Sequence, residues 1–299
     1  MIHIRVPATS ANMGPGFDSL GIALNMYNHI YFEEIEEGFE IELKRKQSID
    51  IPVNKNNIIY KTIFDFYLEI GKTMPGIKII QKDYIPIARG LGSSAACIVA
   101  GLMAANYLSG YNYSKYDLAK IASKIEGHSD NTNPALFGSM VISAFDDYEM
   151  KYVKLNVPKN FVFVAMIPDF PVSTKDSRNV LPKTVSINDA IYNSSRVGLL
   201  VASIMNNSID NLKMALDDKI HQPYRKHLIP RMKNIFEASE SFGAVGTYLS
   251  GAGSTLMAIV TKDKIVNFEY KMKEFLKSMP NKWDLKSLNV DTEGAIIVS

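Results

Sequence analysis

Pro86-Ile87-Ala88-Arg89-Gly90-Leu91-Gly92-Ser93-Ser94-Ala95-Ala96 lies between an apolar alternation, Ile77 to Gln81, and a run of small apolar residues that reaches Leu108. That placement predicts a strand, a glycine-rich turn and a helix from about Ser93 to Leu108. Glycines and small residues let backbone approach a ligand closely, and a helix N-terminus offers free N–H groups and a positive dipole end to an anion. Ser93 and Ser94 add hydroxyls, so phosphate is the natural guest. Three readings stay open on the loop alone. It is not a Walker A loop, because no Gly-Lys-Ser/Thr follows. It satisfies the looser dinucleotide pattern through Gly90, Gly92 and Ala95, with Asp117 at a suitable distance. A merely structural tight turn is the third reading.

Outward from the loop, the first half mixes strand signals with helices. Strands are expected over His3 to Val6, Ile30 to Glu34, Glu40 to Lys44 and Ile77 to Gln81. Asn57 to Gly71 is apolar at helical spacing, with Gly71 as C-cap. A third helix takes Ser114 as N-cap with Asp117 three residues on, the capping-box pattern, and stops at Gly127. The second half begins with a strand, Phe161 to Ile167. Helices follow across Asn188 to Asn206, Ile209 to Leu216 and Pro230 to Phe242. Two strands (Val245 to Ser250, Leu256 to Val260), a helix near Val266 to Met279 and a last strand, Ala295 to Val298, complete the ferredoxin-like order. The boundary is expected near Asp146 to Lys159, dividing the chain into residues 1–150 and 151–299.

Composition narrows the function classes. At 46% hydrophobic and 21% charged residues, the chain has the make-up of a globular protein. Its net charge of +2 is spread without like-charge blocks, which argues against nucleic-acid and membrane partners. One cysteine, Cys97, excludes an intramolecular disulfide and fits a reducing cytoplasm. Met1 to Val6 alternates as a strand does, and Ala95 to Leu108 is too short to span a bilayer, so a soluble cytoplasmic protein is expected. The five histidines are scattered, without metal-ligand spacing. A structural hydrogen bond is the expected part for His128, and an inert core position for Cys97.

Two further segments accompany the loop. Pro7-Ala8-Thr9-Ser10-Ala11-Asn12-Met13-Gly14-Pro15-Gly16-Phe17-Asp18 crowds turn-forming residues directly after a strand. Gly246-Thr247-Tyr248-Leu249-Ser250-Gly251-Ala252-Gly253-Ser254-Thr255 joins two strands through glycines. Together the three resemble the motifs of the GHMP kinases, in order and across nearly the whole chain. Within that superfamily, Thr9 to Asp18, Glu126-Gly127-His128-Ser129-Asp130-Asn131 and Ser173-Thr174-Lys175-Asp176-Ser177-Arg178 are similar to the homoserine kinase forms. The chain departs where Ser129 and Ser254 replace a usual Pro and where Arg89 replaces a frequent Ser.

The resemblance implies an α+β fold in two parts: an N-terminal domain like ribosomal S5 domain 2 and a ferredoxin-like C-terminal domain. It implies that Pro86, Ile87, Ala88, Arg89, Gly90, Leu91, Gly92, Ser93, Ser94, Ala95 and Ala96 form the ATP loop, displacing the dinucleotide reading. Ser94 and Glu126 are implied as Mg²⁺ ligands. A physical hint agrees, since Glu126 is expected at a helix C-terminus, where its charge opposes the dipole and a cation relieves the cost. Asn12 and Asp18 are implied to face the substrate, the amide orienting its hydroxyl and the carboxylate anchoring its ammonium group; turn residues bonding their own backbone are the plainer alternative. Whether Asp18 also accepts the hydroxyl proton stays open. Arg178 and Arg225 match positions that bind the substrate carboxylate, and Thr174 is implied beside the transferring phosphate or the hydroxyl. Asn57 is a candidate neighbour of adenine. The implied activity is ATP-dependent phosphorylation of L-homoserine, a step toward threonine. The alternatives are another GHMP kinase of mevalonate, shikimate or sugar type, and an inactive ATP-binding sensor. The resemblance is also compatible with a homodimer.

Overall fold

The computed structural model describes residues 1–44, 49–146 and 149–298; Asp147, part of the expected boundary, lies outside them. The chain begins with β1 (Ile2–Ala11), β2 (Leu20–Ile35) and β3 (Phe39–Leu43), then α1 (Ile58–Glu69) and β4 (Gly76–Lys82). Three helices follow, α2 (Ser93–Ser109), α3 (Lys115–Glu126) and α4 (Thr132–Phe137), and then the strands β5 (Met140–Phe145) and β6 (Met150–Leu155). Among the described residues these strands form one sheet in the order β1-β2-β4-β3. β5 pairs with the start of β2, and β6 pairs with β5.

The second half starts with β7 (Phe161–Pro168), followed by α5 (Thr174–Asn179), α6 (Ile187–Asn206), α7 (Leu212–Ala215), α8 (Gln222–Arg225) and α9 (Met232–Ser241). It ends with β8 (Gly246–Leu249), β9 (Leu256–Thr261), α10 (Ile265–Lys277), β10 (Trp283–Leu288) and β11 (Ile296–Val298). β7 to β10 form an antiparallel sheet ordered β10-β7-β9-β8, the ferredoxin-like arrangement. One strand is not where the sequence pattern put it. The C-terminal strand forms, but β11 pairs with β1 (His3 opposite Val298) and so extends the first sheet. The fourth place in the second sheet is taken by β10. Its exposed Asp284, Lys286 and Ser287 leave an edge strand with a thin apolar signal.

Local physics accounts for the elements around the site. α2 is apolar on every side, and all of Ala95 to Ala105 is buried, as a helix enclosed by protein requires. The Ser114/Asp117 capping box starts α3, and Gly127 in the left-handed conformation ends it. β7 is buried along its full length. Phe163, Ala165 and Ile167 enter the large core shared with the first sheet, while Val162, Val164 and Met166 enter the smaller core under α9 and α10. The strand's two-residue period thereby ties both cores to one backbone.

Candidate active site

Three separated segments are stitched together by short bonds. Thr9 N donates to Leu91 O at 3.1 Å and Gly251 N to Ala11 O at 3.1 Å. Ser250 Oγ donates to Gly90 O at 2.5 Å, and Thr255 N to Arg89 O at 3.0 Å. Glycine is required where the packing is closest. A Cβ on Gly90 would stand 2.2 Å from Ser250 O, and one on Gly92 would stand 1.9 Å from Thr9 Oγ1, both at positive φ. The junction borders a cavity of about 440 Å³.

Gly92 is the N-cap of α2 and supplies no side-chain acceptor to the first turn. The helix therefore points uncapped N–H groups and its positive end at whatever anion enters the turn. Residues 86–94 border the cavity, whereas Ala95 and Ala96 are fully buried and do not. Arg89 is buried too. Its Nε donates to Pro168 O at 2.9 Å and Nη2 to Asp169 O at 2.8 Å, so this guanidinium fastens the loop to the end of β7.

Ser94 Oγ donates to Glu126 Oε2 at 3.0 Å. Glu126 is the last residue of α3, at the negative end of its dipole. Burial raises its pKa above the ordinary carboxylate value, against the pull of His128, Ser94 and Arg178. A hydroxyl and a half-buried, costly carboxylate, both oxygen donors, fit a hard divalent cation such as Mg²⁺.

The other end of the cavity is charged. Arg178 Nη1 and Nη2 donate to Asp18 Oδ2 and Oδ1 at 3.1 and 2.8 Å, a bidentate pair between α5 and the turn after β1. Arg225 is buried and lies with Arg178 over the ring of Phe17. Burial first, then the charge of Arg178, pushes its pKa down to about 10, which still leaves a cation at neutral pH. Asn12 has both ends of its amide engaged: Oδ1 accepts from Asp18 N at 3.0 Å and Nδ2 donates to Gly251 O at 3.1 Å. Thr174 opens α5 and lines the same cavity.

Other lining residues were named in the sequence without a site role, apart from a structural hydrogen bond for His128 and an adenine neighbour in Asn57. His128 Nδ1 donates to buried Asp130 at 2.5 Å. Burial alone would depress the imidazole, but Asp130, with Asp18 and Glu126 behind it, carries the pKa above the ordinary value. Asp18, His128 and Asp130 hold their ligand atoms within 4.8 Å of one another. The run Glu126 to Asn131 was the available signal, since His128, Asp130 and Asn131 all line the cavity. Asn57 lines it as well, yet its amide caps α1 through Ile59 N and donates to Pro52 O.

The stitched glycine turns set an uncapped helix start that suits phosphate at the cavity, and comparison with known proteins gives the class its name. The models for the GHMP kinases N terminal domain and the GHMP kinases C terminal match residues 57–139 and 198–278. Over 299 residues the chain is 44% identical to the homoserine kinase of Clostridium beijerinckii, covering 100% of this chain and 99% of that protein. Identity to the homoserine kinase of Clostridium kluyveri is also 44%, covering 99% and 98%. The crystal structure of homoserine kinase from Cytophaga hutchinsonii is similar at a TM-score of 0.90 and 30% identity, covering 99% and 97%. A mevalonate kinase from L. major, at 14% identity and a TM-score of 0.73, shares the fold, with 96% and 95% covered. The chain belongs to the homoserine kinase family of the GHMP kinases.

Proposed function

We propose that this protein transfers a phosphoryl group from ATP to the hydroxyl of L-homoserine, giving O-phospho-L-homoserine on the route to threonine. The observation that carries this reading is the sharing of one cavity by the glycine turn and by Asp18, Arg178 and Arg225. A zwitterionic amino acid needs a carboxylate for its ammonium group and guanidinium forks for its carboxylate. Asp18 takes the first role, Arg178 and Arg225 the second. Asn12 holds Asp18 in place, and the second proton on its Nδ2 is available to a substrate oxygen. Thr174 contributes a hydroxyl beside Arg178.

The N–H groups at the start of α2 cradle phosphate, and residues 86–94 shape its path. Ser94 and Glu126 are the residues that would hold Mg²⁺, whose charge offsets that of the phosphate oxygens. Phosphoryl transfer needs in-line placement more than covalent chemistry from the protein. Fixed partners at both ends of the cavity provide such placement. The two domains expected as residues 1–150 and 151–299 would meet at residues 156–160 rather than within β6, because β6 still pairs with β5, and β11 returns to the first sheet. The lone Cys97, whose thiol burial pushes up, suits a reducing cytoplasm. Among the described residues no helix is long and apolar enough to cross a membrane.

The test is ADP release coupled to a dehydrogenase readout, with L-homoserine, mevalonate, shikimate and a hexose offered separately. Turnover confined to L-homoserine is expected. Turnover of another alcohol with L-homoserine inert would overturn the substrate assignment, and ATP binding without turnover of any alcohol would point to a sensor.

A further inference from the structure

We propose that His221 is a positioning residue for substrate binding: as the neutral Nε2–H tautomer it fixes the guanidinium of Arg225 at the carboxylate end of the cavity. This rests on the role given to Arg225 above.

Two contacts determine the proton's place. His221 is fully buried at the N-cap of α8, one helical turn before Arg225. Its Nε2 lies 2.7 Å from Gly14 O, and a carbonyl only accepts, so Nε2 carries hydrogen. Its Nδ1 lies 3.2 Å from Arg225 Nη1, and a guanidinium only donates, so Nδ1 is bare. The ring stacks on Phe17 at 5.4 Å, the same ring that carries Arg225 Cζ at 5.2 Å.

The charged groups around the ring are Asp218, Arg225, Asp130 and, beyond Arg225, Arg178. Asp218 Oδ2 is 3.6 Å from Nε2. Its oxygens already accept from the backbone N–H groups of Ile220, His221 and Gln222 and from Asn193 Nδ2. Burial, with the charge of Arg225, holds the imidazole below its ordinary pKa against Asp218 and Asp130. The remaining anchors of Arg225 are Ser177 O on α5 at 3.2 Å and Gly251 O at 2.9 Å. Among the described residues every anchor of this guanidinium is therefore a neutral acceptor. A carboxylate in place of His221 would neutralise the arginine, and an imidazolium would repel it. A neutral imidazole holds the group while leaving its charge for an incoming carboxylate.

The experiment compares steady-state kinetics of His221→Gln, His221→Asn, Arg225→Ala and the double variant His221→Gln/Arg225→Ala. Gln cannot set an acceptor at the Nδ1 position, whereas Asn Oδ1 falls near it. His221→Gln should raise the KM for L-homoserine about tenfold, the scale of one charge-assisted hydrogen bond, with the KM for ATP little changed. His221→Asn should recover most of that loss. In the Arg225→Ala background His221→Gln should add nothing, because the two side chains act as one unit. The inference is overturned if Arg225→Ala raises the KM and His221→Gln does not, or if His221→Gln acts equally in both backgrounds. An Arg225→Ala variant with unchanged KM removes the underlying reading as well. Nitrogen-15 chemical shifts of the unmutated protein test the tautomer without any variant. The Nε2–H form at pH 7 is expected, and the Nδ1–H or doubly protonated form overturns the proposal.

Discussion

Asp18 and Arg178 are held face to face across the cavity, with both carboxylate oxygens taken by both terminal guanidinium nitrogens at 2.8 and 3.1 Å. The two groups have the charges that complement the two ends of an α-amino acid. On the proposed roles of these two residues, entry of L-homoserine exchanges one ion pair for two. The Arg178 and Asp18 side chains are 39% and 35% exposed, so their mutual attraction is screened and adds little to stability, about 0–1 kcal/mol. Arg178→Ala should accordingly raise the KM for L-homoserine roughly 10–100-fold while moving the melting temperature little. Calorimetry beside steady-state kinetics checks both halves. A large loss of stability with unchanged KM would make the pair structural.

Glu126 separates catalysis from stability in the opposite direction. Removing its charge should lower kcat at least roughly 100-fold with any alcohol, about 2.7 kcal/mol of transition-state stabilisation. The same carboxylate is a burden on the fold. Its pKa is raised by burial above the ordinary 4.5, so the native chain binds this proton more tightly than the unfolded chain does. Its contribution is then fully present below about pH 4.5 and is lost as pH rises through the raised value. In chelator and without nucleotide, Glu126→Gln should melt above the unmutated protein at pH 7.5, and the gain should vanish near pH 4. Thermal melts at the two pH values decide it, and a lower melting point at pH 7.5 would contradict the burial argument.

Arg89 stands in the glycine turn but serves the fold. The guanidinium is buried and donates to backbone carbonyls of Pro168 and Asp169, with Ile87 O a further acceptor at 3.1 Å. Arg89→Ser leaves those carbonyls short of donors and should cost about 2–4 kcal/mol, a fall of roughly 5–10 °C in melting temperature. Activity below the new transition should stay within a few-fold of the parent. Loss of nucleotide binding in a variant that melts normally would instead give Arg89 a ligand-facing role.

The sequence made the local chemistry legible and the long-range pairing less so. The Ser114/Asp117 box and the α2 start at Ser93 were readable because cap and turn signals act within four residues. The glycine turn, Asp18, Glu126, Arg178 and Arg225 were all placed in advance, and all line one cavity. β11 shows the limit. Three residues, Ile296 to Val298, read equally well as an edge of either sheet, and only tertiary packing sets them against β1. β10 was passed over for a related reason, since an edge strand with one wet face carries half the apolar signal of β7. His128 and His221 illustrate a second limit. Nothing local distinguishes a buried or half-buried histidine bonded to a carbonyl or a carboxylate from a solvated one, so their partners emerge only from the fold.

A pair of histidines outside the cavity lining gives the fold a pH dependence of its own. His3 Nε2 lies 2.9 Å from His29 Nδ1 across β1 and β2, and His3 stacks on Tyr31 at 4.2 Å. Burial lowers both pKa values, with His29, Lys82 and Arg5 adding to the effect on His3 and Arg5 and Lys82 to that on His29. Between the lowered values and 6.5 the unfolded chain binds more protons than the native one, so stability rises with pH. The contribution is present above pH 6.5 and is lost as pH falls through the lowered values. Replacing both residues by Gln should flatten the melting temperature between pH 6.5 and 5 and leave homoserine kinetics at pH 7.5 unchanged. A double variant that keeps the full acid slope would move its origin to other groups, buried His221 first among them.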